Sequence, residues 1–464
     1  MSQTAIPREP FLATTARHAG ELIRLAIPVI FARAGMLTMM IVDAIMVGRY
    51  AAEELAFQAI GLAPMMFIMV TAIGLLIGTL VRTAHNVGAG TPENCGAVWH
   101  RSLGYAFLIG MTGLIASLYG EEFLLLTGQS AELSRGGGEV IRIIGYSTPV
   151  MLLYITSAFF LEGLKRPKPG MFIMIGANLL NVLLNWMLIY GNLGFDAMGA
   201  AGSAWATLAV RVVSVPVILT SIWRLADGET YGVRQFKRQP WSSWVHQRRI
   251  GYSAGASNGI ESAAFSSMNF FAGLLGTIPL AAFSISFNML ALIFMIALGI
   301  GTATAVCVGN AHGRRDTRDM AFAGWTGLGL STITMILAGI LLVTFSEDIA
   351  GIYSTDPELI AAAAPLIVLV AFILVADAGQ SVMAHALRGR SETWVPAAMH
   401  TVSYLIIMMP GAWLLSHTYG RGAIGIQEAV LIASIVSVCL LTLRFWWLCR
   451  RDLRAANTLP LRTG

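Results

Sequence analysis

The chain has 464 residues, 56% of them hydrophobic and only 12% charged, with a mean hydropathy of +0.70. An average soluble domain carries about 25% charged residues, so this composition excludes a soluble globular fold. The net charge of +5 comes from basic residues spread over alternate loops, which excludes nucleic acid as a partner.

The first seventeen residues are polar, contain prolines and lack an apolar core, so no cleavable signal peptide is expected. Apolar stretches of about 20 residues then recur, each long enough to cross a hydrocarbon core roughly 30 Å thick as a helix. Spans are predicted near 25–48, 56–81, 102–120, 140–163, 170–193, 199–223, 250–274, 280–308, 320–345, 361–387, 394–417 and 424–448. The fold class is therefore an all-α membrane protein with twelve transmembrane helices.

Charge sets the orientation. With the N-terminus in the cytoplasm, the inside segments are the N-tail, 82–101, 164–168, 224–249, 309–319, 388–393 and the C-tail. They hold 24 of the 30 Lys and Arg, all but Arg49, Arg135, Arg142 and Arg421 outside and Arg33 and Arg211 within spans. Both termini are expected in the cytoplasm of a bacterial cell with the protein in its inner membrane. Cys95, Cys307, Cys439 and Cys449 show no Cys-x-x-Cys spacing, so neither a disulfide frame nor a zinc site is expected.

The chain matches itself at an offset of about 223–226 residues. Ile77-Gly78-Thr79 returns as Ile300-Gly301-Thr302, Gly90 as Gly313, Glu132-Leu133 as Glu358-Leu359, and Leu161-x-Gly163 as Leu387-x-Gly389. Six spans per copy is an even number, so the second copy enters the membrane in the direction of the first and the repeats are parallel. The expected domains are an N-lobe over 1–223, a basic linker over 224–249 and a C-lobe over 250–464, around a central cavity. In the linker, Arg234, Lys237, Arg238, Arg248 and Arg249 with Trp241 and Trp244 form either a solvated connection or a contact with anionic membrane lipids; the solvated connection is the expectation. Two such halves suit alternating access about a midplane site.

Three acids fall well inside spans: Asp43, Glu261 and Asp377. A carboxylate at a helix centre costs roughly 2.5–3.5 kcal/mol on insertion scales and usually marks an ion path. Glu261 lies 12 residues beyond Arg249 and Asp377 lies 11 before Arg388, which puts both roughly 17–18 Å from the cytoplasmic side. At one depth, they are expected to share a sodium ion or a proton. Asp43, about 9 Å along the helix from Arg49, serves the N-terminal half. The opposing expectation is that each acid pairs with a buried cation or caps a broken helix. Glu162, at a span end, is expected to snorkel or cap.

Asn178, Asn181 and Asn185 recur on one helical face, with Asn258 and Asn288 doing something similar in the second half. Such a stripe binds substrate or ion, or holds neighbouring helices together. Among 23 methionines, Met65, Met66, Met69, Met289 and Met295 suit an adaptable cavity. His85, His312, His385 and His400 lie near cytoplasmic ends and are expected to be loop residues.

The stretches VDAIMVGRY at 42–50, GAG at 88–90, NVLLNWMLIYG at 181–191, GAAGSAWAT at 199–207 and DAGQSVMAHALRGRSETWVPA at 377–397 resemble the multidrug and toxic compound extrusion (MATE) family, in its bacterial NorM-like branch. The resemblance covers nearly the whole chain. It implies an antiporter that expels small organic cations while Na⁺ or H⁺ flows inward, with no resident cofactor. Asp43, Glu261 and Asp377 match the branch's membrane acids, and Asn181 and Thr207 match its polar N-lobe residues. Asn185 stands where an archaeal branch carries aspartate, Ser284 where relatives often have glutamine, and Ile373 where they often have tyrosine, which puts an aromatic arm of the C-lobe ion site in doubt.

The expected function is thus cation-coupled export by a monomer, with Asp43, Glu261 and Asp377 coupling, Na⁺ held at Glu261 and Asp377, and Asn181, Asn185, Thr207, Ser284 and Asn288 lining the cavity. The alternative is an exporter or flippase of one endogenous product, such as a siderophore or lipid-linked precursor; anionic cargo of that kind calls for a basic interior. An enzyme is not expected, because no nucleophile, metal cluster or phosphate-cradling loop appears.

Overall fold

The computed structural model describes residues 11–236 and 240–458, and every regular element among them is helical. Twelve long helices correspond one to one with the predicted spans. In the first half they are α1 (Phe11–Tyr50), α2 (Ala52–Gly88), α3 (Cys95–Ser117), α4 (Ala131–Gly163), α5 (Lys168–Leu188) and α6 (Gly199–Trp223). The second half comprises α7 (Val245–Leu274), α8 (Thr277–Gly313), α9 (Thr317–Thr344), α10 (Pro357–Gly389), α11 (Trp394–Thr418) and α12 (Gly422–Thr458).

Ten of these helices are long and apolar enough to cross a membrane unaided, and α3 joins a short helix, Gly120–Leu126, at a 55° bend to make an eleventh. The exception is α7. Its polarity has a packing origin: Gly251, Ala254, Gly255 and Gly259 form a buried small-residue face against α2, while Ser257 turns to α10 and α11. A Cβ on Gly74 of α2 would sit 2.7 Å from the Gly255 Cα, so the two backbones touch, the mode of close approach that drives helix association in lipid. Large apolar side chains such as Leu179, Phe172 and Ile333 are turned outward instead, as a lipid-facing surface requires.

In each half the fourth helix is the hub. Helix α4 packs on α2, α3 and α6, and α10 packs on α8, α9 and α12. Across the halves α1 lies on α8 and α2 on α7, a swap that follows from the repeat. Polar side chains start several helices: Ser130 accepts from the Leu133 amide at 3.3 Å for α4, and Asp356 accepts from the Glu358 amide at 3.0 Å for α10.

Three sequence expectations change here. The connection before α7 is exposed at Arg234 and Arg249 but is also docked, since Val233 is fully buried, the Tyr231 carbonyl accepts from the Gly96 amide at 2.7 Å, and Arg166 pairs with Asp227 at 2.5 Å; Lys237 and Arg238 lie outside the described residues. His85, His385 and His400 are buried helix residues, not loop residues, because α2, α10 and α11 pack against neighbours as far as these turns. Glu162 does not snorkel: it is buried and receives two bonds from Arg33 of α1, at 3.4 and 3.5 Å.

Candidate functional site

The first cluster gathers around Asp43, which is buried on α1. The Asn185 side-chain amide donates to Asp43 Oδ1 at 2.6 Å and to Asn181 Oδ1 at 3.2 Å, and Thr207 Oγ donates to Asp43 Oδ2 at 3.2 Å. Four predicted residues from three helices therefore meet. The spacing explains it: Asn181 and Asn185 are one turn apart on α5 and face α1 together. Asn178, one turn earlier, donates instead to the Gly35 carbonyl at 3.1 Å, so one part of the asparagine stripe holds α1 and the other holds its carboxylate.

Asp43 also borders a cavity of about 40 Å³ lined by Gln58, Met65, Met69, Thr207 and Arg211. A water molecule's share of the liquid is about 30 Å³, so in this conformation the cavity has the size of a water or a small ion. Asn181 Nδ2 and Asn185 Oδ1 are buried without a partner among the described residues. Orphans of this kind mark polar capacity left for a water, a proton or an ion.

The second cluster joins Glu261 of α7 to Asp377 of α10. Gln380 bridges them, its Nε2 donating to Glu261 Oε1 at 3.2 Å and to Asp377 Oδ1 at 3.3 Å. The Tyr404 and Ser434 hydroxyls each donate to the same Asp377 oxygen at 3.3 Å. Depth reckoning from the two flanking arginines does bring the acids together. The marker Arg388, however, is not a cytoplasmic loop residue: it is buried at the end of α10 and donates to Ser257 Oγ at 3.0 Å. Ser257 in turn bonds to His400 Nδ1 at 2.6 Å.

Gln380 and Tyr404 were missed by sequence reasoning. Gln380 had a signal, since it lies three residues beyond Asp377 on one helix and shares its face. Tyr404 had none. It belongs to a π-helical stretch of α11, Thr401–Met408, where the wider turn changes the direction of side chains. A tyrosine hydroxyl thus reaches the acid from α11 although Ile373 occupies the expected aromatic position on α10. Ser284 and Asn288 join neither cluster. Ser284 donates to the Leu280 carbonyl of its own helix at 2.8 Å, and Asn288 is exposed on α8.

None of the three carboxylates is ion-paired with an arginine or lysine among the described residues, unlike Glu162 with Arg33. No three His, Cys, Asp or Glu side chains among those residues converge on a metal position. What the two clusters offer is two sites rich in oxygen atoms, one in each half, able to hold a proton or a monovalent ion.

Comparison with known proteins gives a consistent picture. The family model MatE matches the chain twice, at residues 28–187 and 254–414. The chain is 38% identical over 438 residues to the probable multidrug resistance protein NorM of Caulobacter vibrioides, covering 94% of this chain and 93% of that protein. It is 30% identical over 463 residues to the multidrug resistance protein PmpM of Pseudomonas aeruginosa, covering 98% and 96%. Among solved structures, a MATE in the bent conformation aligns with a TM-score of 0.85 at 21% identity over 96% of this chain and 99% of that one. An outward-facing multidrug resistance MATE family transporter of the MOP superfamily aligns at 0.86 and 20% identity over 94% and 97%; at these identities the likeness is one of fold. The two family matches begin 226 residues apart (254 − 28), in register with the repeat read from the sequence. With a doubled match, twelve helices in the same arrangement and 38% identity along almost the whole chain, the protein belongs to the MatE family.

Proposed function

We propose that this membrane protein is a multidrug exporter that couples the inward flow of Na⁺ or H⁺ to the expulsion of small lipophilic organic cations. The observation that carries the reading is the pair of carboxylate clusters at lipid depth, neither neutralised by an arginine or lysine ion pair. A carboxylate left unpaired in the membrane needs a proton or a cation to be tolerated, and uptake of that cation changes the charge presented to a cationic cargo. The orphaned acceptors Asn185 Oδ1 and Gln380 Oε1, each beside an acid, supply further oxygen atoms suited to Na⁺. The names borne by the relatives in Caulobacter vibrioides and Pseudomonas aeruginosa favour multidrug export over a single endogenous cargo.

In this reading the N-lobe spans 1–223 and the C-lobe 250–464, joined by 224–249, and the halves rock about the seams formed by α1 with α8 and α2 with α7. The termini and the arginine-rich connections face the cytoplasm, the membrane is the bacterial inner membrane, and the unit of action is the monomer. Ion entry at Asp43, or at Glu261 and Asp377, favours release of cargo, and this shifts the conformational balance only through unequal affinity for the two states. The membrane potential adds about 2.3 kcal/mol per charge per 100 mV to the incoming ion.

The test is export of a fluorescent organic cation into the lumen of everted vesicles, whose cytoplasmic face is outward, under a sodium gradient and a proton gradient imposed separately. One gradient should drive efflux in the wild type, and Asp43→Asn, or Glu261→Gln with Asp377→Asn, should abolish it. Efflux that needs neither gradient, or that survives all three substitutions at full rate, would sink the proposal.

A further inference from the structure

Around the end of α10, Arg390 pairs with Asp452 and Arg444 with Glu392, the latter at 2.6 Å. Arg388 finds no carboxylate. It is only 3% exposed, yet its single bond among the described residues goes to a neutral oxygen, Ser257 Oγ at 3.0 Å. A buried guanidinium held only by a neutral oxygen is costly unless a negative charge lies near.

The helices show where that charge is. Ser257 stands one turn before Glu261 on α7, so the two share a face and lie about 6 Å apart along the axis. Asp377 and Arg388 are eleven residues apart on α10, close to three full turns, and share a face as well. The start of α7 and the end of α10 lie at the same end of the bundle, where His246 bonds to Ser391 at 3.0 Å. Helical side chains tilt toward the N-terminus. The tilt carries Glu261 toward the start of α7 and Arg388 away from the end of α10, so acid and guanidinium approach each other with Ser257 between them. Gln380 ties Glu261 to Asp377, and one buried network thus holds two carboxylates and one guanidinium. Its nearest imidazole adds no charge: Ser257 accepts from Arg388, and the acceptor left for its own proton among the described residues is His400 Nδ1 at 2.6 Å, which makes His400 neutral. His385 lies against Gly301 of α8 instead.

We propose that Arg388 is the fixed counter-cation of the cluster formed by Glu261 and Asp377. It offsets one of the two carboxylates, so the site holds one proton or monovalent cation instead of two, and its like charge loosens the hold on that ion so that the ion can leave. The assignment deepens the export reading by naming a residue that sets the charge of a coupling site, and it rests on that reading only for the direction in which the ion moves. Arg388 acts through the acids and is a positioning residue.

The first experiment needs no transport. It is equilibrium unfolding of the purified full chain in mixed micelles, for Arg388→Gln, Glu261→Gln and the double variant. Relative to wild type, the change in unfolding constant of the double variant should fall at least about tenfold short of the product of the two single changes, the scale of coupling between charges in one network. Agreement with the product within about twofold would mean that Arg388 serves Ser257 alone, and overturns the assignment. If either single variant gives no folded protein, the double variant should restore it; failure to do so overturns the assignment equally. The second experiment follows vesicle export against the lumenal concentration of the driving cation. Arg388→Gln should lower the half-saturating concentration by about fivefold or more, as removal of a like charge from a buried site requires, and Arg388→Lys, which keeps the charge, should restore the wild-type value. An unchanged or higher value for Arg388→Gln overturns the assignment; if that variant exports nothing, the unfolding cycle decides alone. Tenfold coupling in the cycle together with no export by the wild type would instead sink the export reading and leave Arg388 as the counter-cation.

Discussion

Removing the charge of Glu162 tests how this protein tolerates ions in its interior. Arg33 and Glu162 have side chains only 11% and 6% exposed, and Arg33 also lies over the Phe159 ring at 5.2 Å. Breaking a buried pair by removing one partner costs about 3–5 kcal/mol, because the remaining charge is stranded. Contacts of 3.4 and 3.5 Å are longer than the roughly 2.7–2.9 Å of strong charge-assisted bonds, which places the expected loss near the lower limit, about 3 kcal/mol. That is about a hundredfold in the unfolding equilibrium. The measurement is unfolding in mixed micelles followed by tryptophan fluorescence, for Glu162→Gln, Arg33→Met and the double variant. Each single variant should lose about 3 kcal/mol, and the double variant should lose much less than the sum, since a buried pair replaced by apolar groups is often neutral. If Glu162→Gln costs under about 0.5 kcal/mol, or the losses simply add, then the pair is hydrated in place and the reasoning about stranded charge is wrong.

Three further outcomes are expected. Asn185→Leu removes the 2.6 Å bond to Asp43 and should lower vesicle efflux by about tenfold or more, the scale of a bond to a charged group, with the amount of folded protein in detergent unchanged. Tyr404→Phe deletes one long bond, 3.3 Å, out of three to Asp377 Oδ1, so export should fall less than about fivefold, or about 1 kcal/mol; complete loss would mean that the hydroxyl itself carries the ion or proton. Gly74→Val drives a side chain into the Gly255 backbone and should cost about 1–3 kcal/mol in a melting assay, whereas Gly20→Ala, with nothing within 4 Å, should be neutral or stabilising by up to about 1 kcal/mol.

The spans, the repeat and the asparagine face of α5 were legible because each depends on order along the chain, whereas Thr207 entered only through the family resemblance. Apolar stretches of sufficient length are a one-dimensional signal for every span but α7, and so is the one-turn spacing that puts Asn181 and Asn185 on one face. The depth of Glu261 and Asp377 was read by counting residues from Arg249 and Arg388, and the two acids do meet, with Gln380 between them. What could not be read was the partner each charge would find across a helix seam. Glu162 reads as a span-end acid until α1 brings Arg33 against it, and Arg388 reads as a loop cation until α7 covers it with Ser257. The connection before α7 reads as solvated by its charges, yet Val233 and Tyr231 dock it on the start of α3.

Read alone, the order of residues establishes the apolar spans, the duplication of the halves and the acids that fall within those spans. Those properties follow from hydropathy and helical period, which any segment carries alone. Only the tertiary structure decided which buried charges are paired and which remain open, because pairing depends on the rotation and approach of neighbouring helices. Small residues such as Gly74 and Gly255 set that approach, and a π-helical turn redirects Tyr404, so the pairing is fixed by contacts that no single span encodes.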